Sequence, residues 1–281
     1  MKIAVIGVGA IGGWFGGRLV QAGHDVTFVA RGETLRVLQT EGLRLNDEPA
    51  LAVTASDTVP ECDVALLCVK VTGEMPLLGG PTGVPAGVPV ALTQNSVEVP
   101  RLVAEQIGEE RTWPGVVRGF FHRAGPAHVE FHGGPISYEF AGSEEFARAL
   151  RDAGVEAEVN PDARTAVWEK AMFVTSMGAL GSLAGASLGE LRTTHRESLR
   201  AFMSEIDVCA RAEGVDVPGL VDKTMDFADQ MPEGATSSMQ RDLAAGRESE
   251  LDTQIGAIVR SGRRTGVDTP LHTLALSLLQ P

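Results

Sequence analysis

MKIAVIGVGAIGGWFGGRLVQAGHDVTFVAR, residues 1–31, is the stretch whose reading decides the fold. Residues 2–6 form a continuous β-rich apolar run, the pattern of a strand buried on both faces of a parallel sheet. Gly7, Gly9 and Gly12 follow as G-x-G-x-x-G, and a helical pattern then continues to Ala22, where Gly23 stops it. Residues 25–30 supply a second strand. The unit reads strand, glycine turn, helix, strand. Gly7 permits the tight turn, Gly9 lets a pyrophosphate approach the backbone, and Gly12 lets the helix close on the strand. The pyrophosphate would rest on the helix N-terminus, where the free N–H groups of Ala10, Ile11 and Gly12 meet it along with the helix dipole. A glycine-rich packing turn is the alternative.

The end of the second strand bears on the type of dinucleotide. An NAD site usually places an acidic residue there, about 20 residues on, to hold the ribose hydroxyls. Here Arg31 stands nineteen residues after Gly12. Its guanidinium suits the 2′-phosphate of NADP through charge-assisted hydrogen bonds. The alternative is a strand-end arginine paired with Glu33. Residues 63–71 and 89–95 read as two more buried parallel strands, and they carry Lys70 and Asn95 to the edge where open α/β sheets bind ligands. The Pro/Gly-rich stretch 76–90 reads as mostly loop. Residues 127–134 and 135–140 alternate about Gly133–Gly134–Pro135 and predict a β-hairpin. A helix from about Ser143 and a strand near Val155 follow.

From about Ala163 the pattern becomes helical, with no strand-like alternation. The expected fold is therefore α/β: an N-terminal Rossmann-type dinucleotide-binding domain, 1–162, followed by an all-helical C-terminal domain, 163–281. A chain of 281 residues is long enough for two cores. Aromatic residues make up only 5%, so those cores must be built from Leu, Val, Ala, Ile and Met. A net charge of −13 with no Lys/Arg run argues against nucleic acid or an anionic membrane surface as partner. Cys62, Cys68 and Cys209 have no metal-ligand spacing, and no metal is expected. Neither a signal-peptide pattern nor a membrane-length apolar run is present, so a cytoplasmic location is expected.

Within the helical half, VWEKAMFVTSMGALGSLAG (167–185) places a lysine among apolar and small residues. On a helix, Lys170 shares a face with Val174, Met177, Gly178 and Gly181. It is either a lysine snorkelling along an apolar wall or a proton donor held in a dry cleft. Ser238 precedes a helical run and suits an N-cap, while Glu250, twelve residues on, suits an exposed first-turn acid.

The glycine turn, VK at 69–70, TQN at 93–95, WEK at 168–170, SSMQRD at 237–242 and GRESELD at 246–252 occur in one order. So arranged, they resemble the ketopantoate reductase family (2-dehydropantoate 2-reductases) over nearly the whole chain. The resemblance implies an NADP-dependent oxidoreductase that reduces 2-dehydropantoate to pantoate, on the way to pantothenate and coenzyme A. It implies Lys170 as general acid, Glu250 as its partner and substrate contact, and Ser238 as a contact to the substrate carboxylate. Asn95 matches the active-site asparagine after the fourth strand, at both cofactor and substrate, and Arg31 and Lys70 match cofactor-side positions. A ketone that accepts hydride builds negative charge on its oxygen, and a protonated lysine answers that charge. The partners implied are a small keto acid and, as an option, a second copy of the chain.

One departure stands out. Family members typically carry asparagines four and eight residues after the lysine, where this chain has Val174 and Gly178. The hydride chemistry therefore transfers better than the substrate does. A reductase of a different keto acid, or a non-catalytic NADP(H)-binding regulatory protein, stays open beside the pantoate reading.

Overall fold

The computed structural model describes residues 1–72 and 83–280, so the 76–82 part of the expected loop lies outside the described residues, while 83–89 is turn and bend. The described chain separates into two compact units. One comprises residues 1–70, 83–94 and 100–163; the other comprises 71–72, 95–99 and 164–280. The short segment 95–99, drawn from the first half of the sequence, thus belongs with the helices.

The strands in chain order begin with β1 (Lys2–Ile6), β2 (Asp25–Val29), β3 (Arg44–Leu45) and β4 (Thr54–Ser56). Next come β5 (Val64–Leu67), β6 (Val90–Leu92), β7 (Thr112–Trp113) and β8 (Gly115–Arg118). The last four are β9 (Phe121–Gly125), β10 (His128–Phe131), β11 (Ser137–Phe140) and β12 (Glu156–Val159). The helices of this half are α1 (Ala10–Gln21), α2 (Gly32–Thr40), α3 (Val99–Ile107) and α4 (Glu144–Asp152). Ser143 caps α4 by accepting from the Phe146 N–H.

The main sheet has six strands in the order β4-β2-β1-β5-β6-β7, every neighbouring pair parallel. Strand order reverses beside β1, which makes that position a topological switch point. Ile6 pairs in register with both Val29 and Leu67, so β1, β2 and β5 end at one edge. The fifth strand is shorter than residues 63–71 suggest, because the chain leaves the ladder after Leu67 to pass the glycine turn.

Helix α1 lies between this sheet and a small second sheet, β3-β10-β9. A Cβ added at Gly12 or Gly16 would strike Cys68 or the Phe28 ring on one side; one at Gly13 or Gly17 would strike Val129 or Leu45 on the other. Each helical glycine costs about 0.5–1 kcal/mol relative to alanine. Close approach on two faces explains why this helix carries four of them.

The expected hairpin about Gly133–Gly134–Pro135 does not form. Strand β10 pairs antiparallel with β9, and β11 pairs with β8 and β12 in a third sheet. Gly133 and Gly134 both adopt positive φ, 89° and 92°, and carry the chain from one sheet to the other. The separation lets Val129 pack on Gly13 of α1 while Tyr138 and Phe140, stacked at 4.7 Å, fill the core.

The second unit contains α5 (Ala163–Ala184), α6 (Leu188–Thr193), α7 (Arg196–Ala212) and α8 (Leu220–Gln230). It ends with α9 (Ser238–Ala244), a π-helical stretch (Asp252–Gly256), α10 (Ala257–Thr265) and α11 (Pro270–Leu279). Among the described residues it contains no strand. Helix α5 is apolar nearly all round, as a central helix must be; Trp168, Met172, Met177 and Leu180 are buried in its core. A contact between Glu205 and the buried His272 ring ties α7 to α11, with the carboxylate also accepting from the Leu271 and His272 N–H groups. Among the described residues no helix is long and apolar enough to cross a membrane, and no cluster of His, Cys, Asp and Glu can hold a metal ion.

Candidate active site

At the edge of the parallel sheet, Gly7 has φ 95° and donates its N–H to Val29 O at 3.0 Å. A Cβ there would come within 2.7 Å of the Val69 backbone nitrogen. The turn is thereby fitted against the segment that leads to Lys70, which is exposed. Gly12 presses on Gly7 O and Cys68, the close helix–strand contact that the motif requires. Gly9 differs from both. It is the N-cap of α1 without a side-chain cap, and a Cβ on it would meet nothing within 4 Å. Packing does not call for a glycine at that position, whereas a ligand lying on the backbone would. The first-turn N–H groups of Ala10, Ile11 and Gly12 have no intrahelical acceptor. These residues fit a dinucleotide pyrophosphate.

Arg31 is exposed at the N-cap of α2 and, among the described residues, its side chain makes no hydrogen bond or ion pair. The alternative pairing with Glu33 is not made. Arg36 takes that carboxylate instead, at 2.7 and 3.0 Å. Cys68 stays a neutral thiol, since burial pushes it up to about 12 against an opposing hydrogen bond with Thr93.

The remaining sequence-predicted residues all fall in the helical unit. In TQN, Thr93 and Gln94 are spent on structure: the Thr93 hydroxyl donates to Leu67 O at 2.9 Å, and Gln94 Nε2 donates to Leu67 O and Val69 O. Asn95 is different, for its Oδ1 is buried with no partner. Buried polar atoms are almost always satisfied, so this orphan acceptor is a candidate ligand contact.

Glu250 is not an exposed first-turn acid. It is 8% exposed, accepts from Gln254 Nε2 at 3.3 Å, and immediately precedes the helical turn that opens into the π-helical stretch. Such π-turns occur frequently at functional sites. Arg260 reaches Glu98 at 2.8 Å and Asp252 at 2.9 Å, and so clamps the Asn95 segment to the chain just after Glu250. Thr253 adds a bond to Val71 O at 2.9 Å.

Lys170 lies on the second turn of α5, half-buried, with Val174 and Gly178 on the turns that follow it. Helix α9 docks on that helix through Gly178 and Gly181. A Cβ at Gly178 would meet Met239 Cε at 2.6 Å and Ser237 Oγ at 3.0 Å, and Gln240 donates to Gly181 O and Ala186 O. The N-cap of α9 is Ser237, whose hydroxyl accepts from the Gln240 N–H at 3.0 Å, and not Ser238. That correction releases the Ser238 hydroxyl, which makes no hydrogen bond among the described residues. Ser176 is fully buried and unpartnered, turned away from the Lys170 face.

Sequence reasoning missed Gln254, Arg260 and Met239. Gln254 is 3% exposed and its Oε1 is unpartnered, yet in the sequence it is one more polar residue of a helical run. Arg260 stands eight residues from Asp252, and the two meet over Gly256, where a Cβ would strike both side chains.

Comparison with known proteins adds to this geometry. The sequence model described as "Ketopantoate reductase PanE/ApbA" matches residues 3–142, and that described as "Ketopantoate reductase PanE/ApbA C terminal" matches residues 162–281. A 2-dehydropantoate 2-reductase of Caulobacter vibrioides is 30% identical over 99% of this chain and 98% of its own length. One from Mesorhizobium japonicum is 29% identical over 100% and 97%. The crystal structure of a PanE/ApbA family ketopantoate reductase from Ralstonia eutropha JMP134 superimposes with a TM-score of 0.87 at 31% identity, covering 99% of this chain and 97% of that one.

Proposed function

Because the chain belongs to the ketopantoate reductase family of oxidoreductases, we propose that it reduces the ketone of a 2-oxo acid with NADPH, 2-dehydropantoate being the first substrate to test. The observation that carries the reading is that the four residues fall in one compact unit. One compact unit holds the lysine, the buried Glu250, the orphan acceptor of Asn95 and the unengaged Ser238 hydroxyl. When bound, the nicotinamide cofactor supplies a hydride to the carbonyl carbon. Lys170 faces the oxygen, where its ammonium stabilises the developing alkoxide and delivers the proton from Nζ. Buried Glu250 is assigned as the carboxylate partner that holds the ammonium in place. Ser238 donates to the substrate carboxylate, and Asn95 meets the substrate and the cofactor amide.

The glycine turn, with Ala10 and Ile11, holds the pyrophosphate, and Lys70 stands on the cofactor side. Arg31 takes the 2′-phosphate, a role supported by its freedom from Glu33. The domains divide as 1–162 for the cofactor and 163–281 for the chemistry, with Asn95 lent by the first stretch to the second. The location is cytoplasmic, and a second copy is a candidate partner.

The experiment is NADPH oxidation by purified protein with 2-dehydropantoate, beside a Lys170→Ala control. Turnover abolished in the variant sustains the reading. NADPH binding without turnover of 2-dehydropantoate or any other 2-oxo acid sinks it and leaves a non-catalytic NADP(H)-binding protein.

A further inference from the structure

The wall beside the proposed proton donor is apolar, and its chemistry says which side chain it accepts. The residues one and two turns beyond Lys170 on its own face are Val174, half-buried, and Gly178, buried. Neither offers a donor or acceptor from a side chain. At Gly178 the volume that a side chain would fill is already taken by the methyl end of Met239, 1% exposed, and by Ser237 Oγ. The Ser237 hydroxyl is committed to capping α9. Met177, on the same face, is buried in the core. From the lysine to the α9 contact, then, no side chain on the α5 face offers a hydrogen bond to a substrate hydroxyl.

Resting on the reductase reading above, we propose that this wall takes the substrate's C3 substituent as bare hydrocarbon. The substrate class is 2-oxo acids with a bulky, branched, apolar side chain, and this face gives a hydroxyl on that side chain no partner. A site built to hydrogen-bond a hydroxyl rejects the analogue lacking it by about 10⁴–10⁵; an apolar pocket distinguishes the two far less. The difference in outcome is therefore large.

A matched pair tests it: 2-dehydropantoate and 3,3-dimethyl-2-oxobutanoate share one skeleton and differ by the hydroxyl. The expected kcat/KM values lie within about tenfold of each other. A preference above about tenfold for the hydroxylated acid overturns the proposal. In Val174→Asn the ratio shifts by about tenfold or more towards 2-dehydropantoate; an unchanged ratio shows that Val174 does not face the side chain and overturns it too. Val174→Thr, nearly isosteric, carries the same test should the asparagine variant fail to fold. Calorimetric titration of the two reduced acids, pantoate and 2-hydroxy-3,3-dimethylbutanoate, into protein saturated with NADP⁺ reads the wall without turnover. Affinities within about tenfold sustain the proposal; selective binding of pantoate, or no binding of either, overturns it. Equal binding without reduction of either keto acid would fault the reductase reading and leave the wall standing.

Discussion

The glycine turn at residues 7–12 and the helix face that starts at Lys170 carry the two halves of the proposed reaction, and the chain encodes them by opposite means. The turn is contiguous. Its residues are neighbours in sequence, and the contacts that explain them are the strand before, the helix after and the Val69 backbone beside. The helix face lies in a unit that also holds residues 95, 238 and 250, drawn from three separate stretches, within which Arg260 ties Glu98 to Asp252 and α9 packs on Gly178. A contiguous turn tolerates change around it, whereas an assembled face depends on every element that assembles it.

The sharpest way to separate the two is Lys170→Ala. Turnover should fall by about 10²–10⁴ while NADPH affinity, measured by fluorescence titration, stays as in the parent. Loss of cofactor binding in this variant would mean that the two regions are not independent.

The glycines break the comparison from the other side. Gly7→Ala puts a side chain at φ 95° against a backbone nitrogen, so thermal unfolding should register a loss of about 2–3 kcal/mol. Gly9→Ala meets empty space at ordinary φ and should change stability by less than about 0.5 kcal/mol. Its dinucleotide affinity should nonetheless drop. If Gly9→Ala binds NADPH as well as the parent, the open space above Gly9 is not the cofactor's.

Arg31→Ala should weaken NADPH binding by about 10–100-fold and leave NADH binding unchanged, the worth of charge-assisted bonds to one phosphate. Equal losses for the two cofactors would remove the 2′-phosphate assignment.

The smallest effects come from the two adjacent serines. Ser237→Ala should cost about 1 kcal/mol of stability, the usual worth of an N-cap, whereas Ser238→Ala should leave stability alone and raise KM for the keto acid. The opposite pattern would return Ser238 to the capping role that its sequence position suggests.

That pair of serines also marks where the sequence is ambiguous. Which of two adjacent serines caps a helix depends on where the first turn closes, and here Ser237 takes the Gln240 N–H while the Gln240 side chain reaches Gly181 and Ala186. Similarly, Glu250 reads as a solvent-facing acid, and only the packing of its unit buries it. The hairpin expected at Gly133–Gly134 failed for a related reason. Alternation and glycines define strands and a break, but the partner of each strand is chosen by what its buried face packs against.

By itself, then, the sequence determined the parallel strand–glycine–helix unit, the change to helices near Ala163, and the order of motifs that marks the family. Each of these is local, set by periodicity, by backbone conformations only glycine adopts easily, and by residues at fixed short spacing. Only the tertiary structure decided that Asn95 joins the helical unit with an orphaned acceptor, that Arg36 rather than Arg31 takes Glu33, and that Met239 fills the space over Gly178. Those outcomes come from competition between distant groups for the same volume or the same hydrogen bond, and chain order does not rank the competitors.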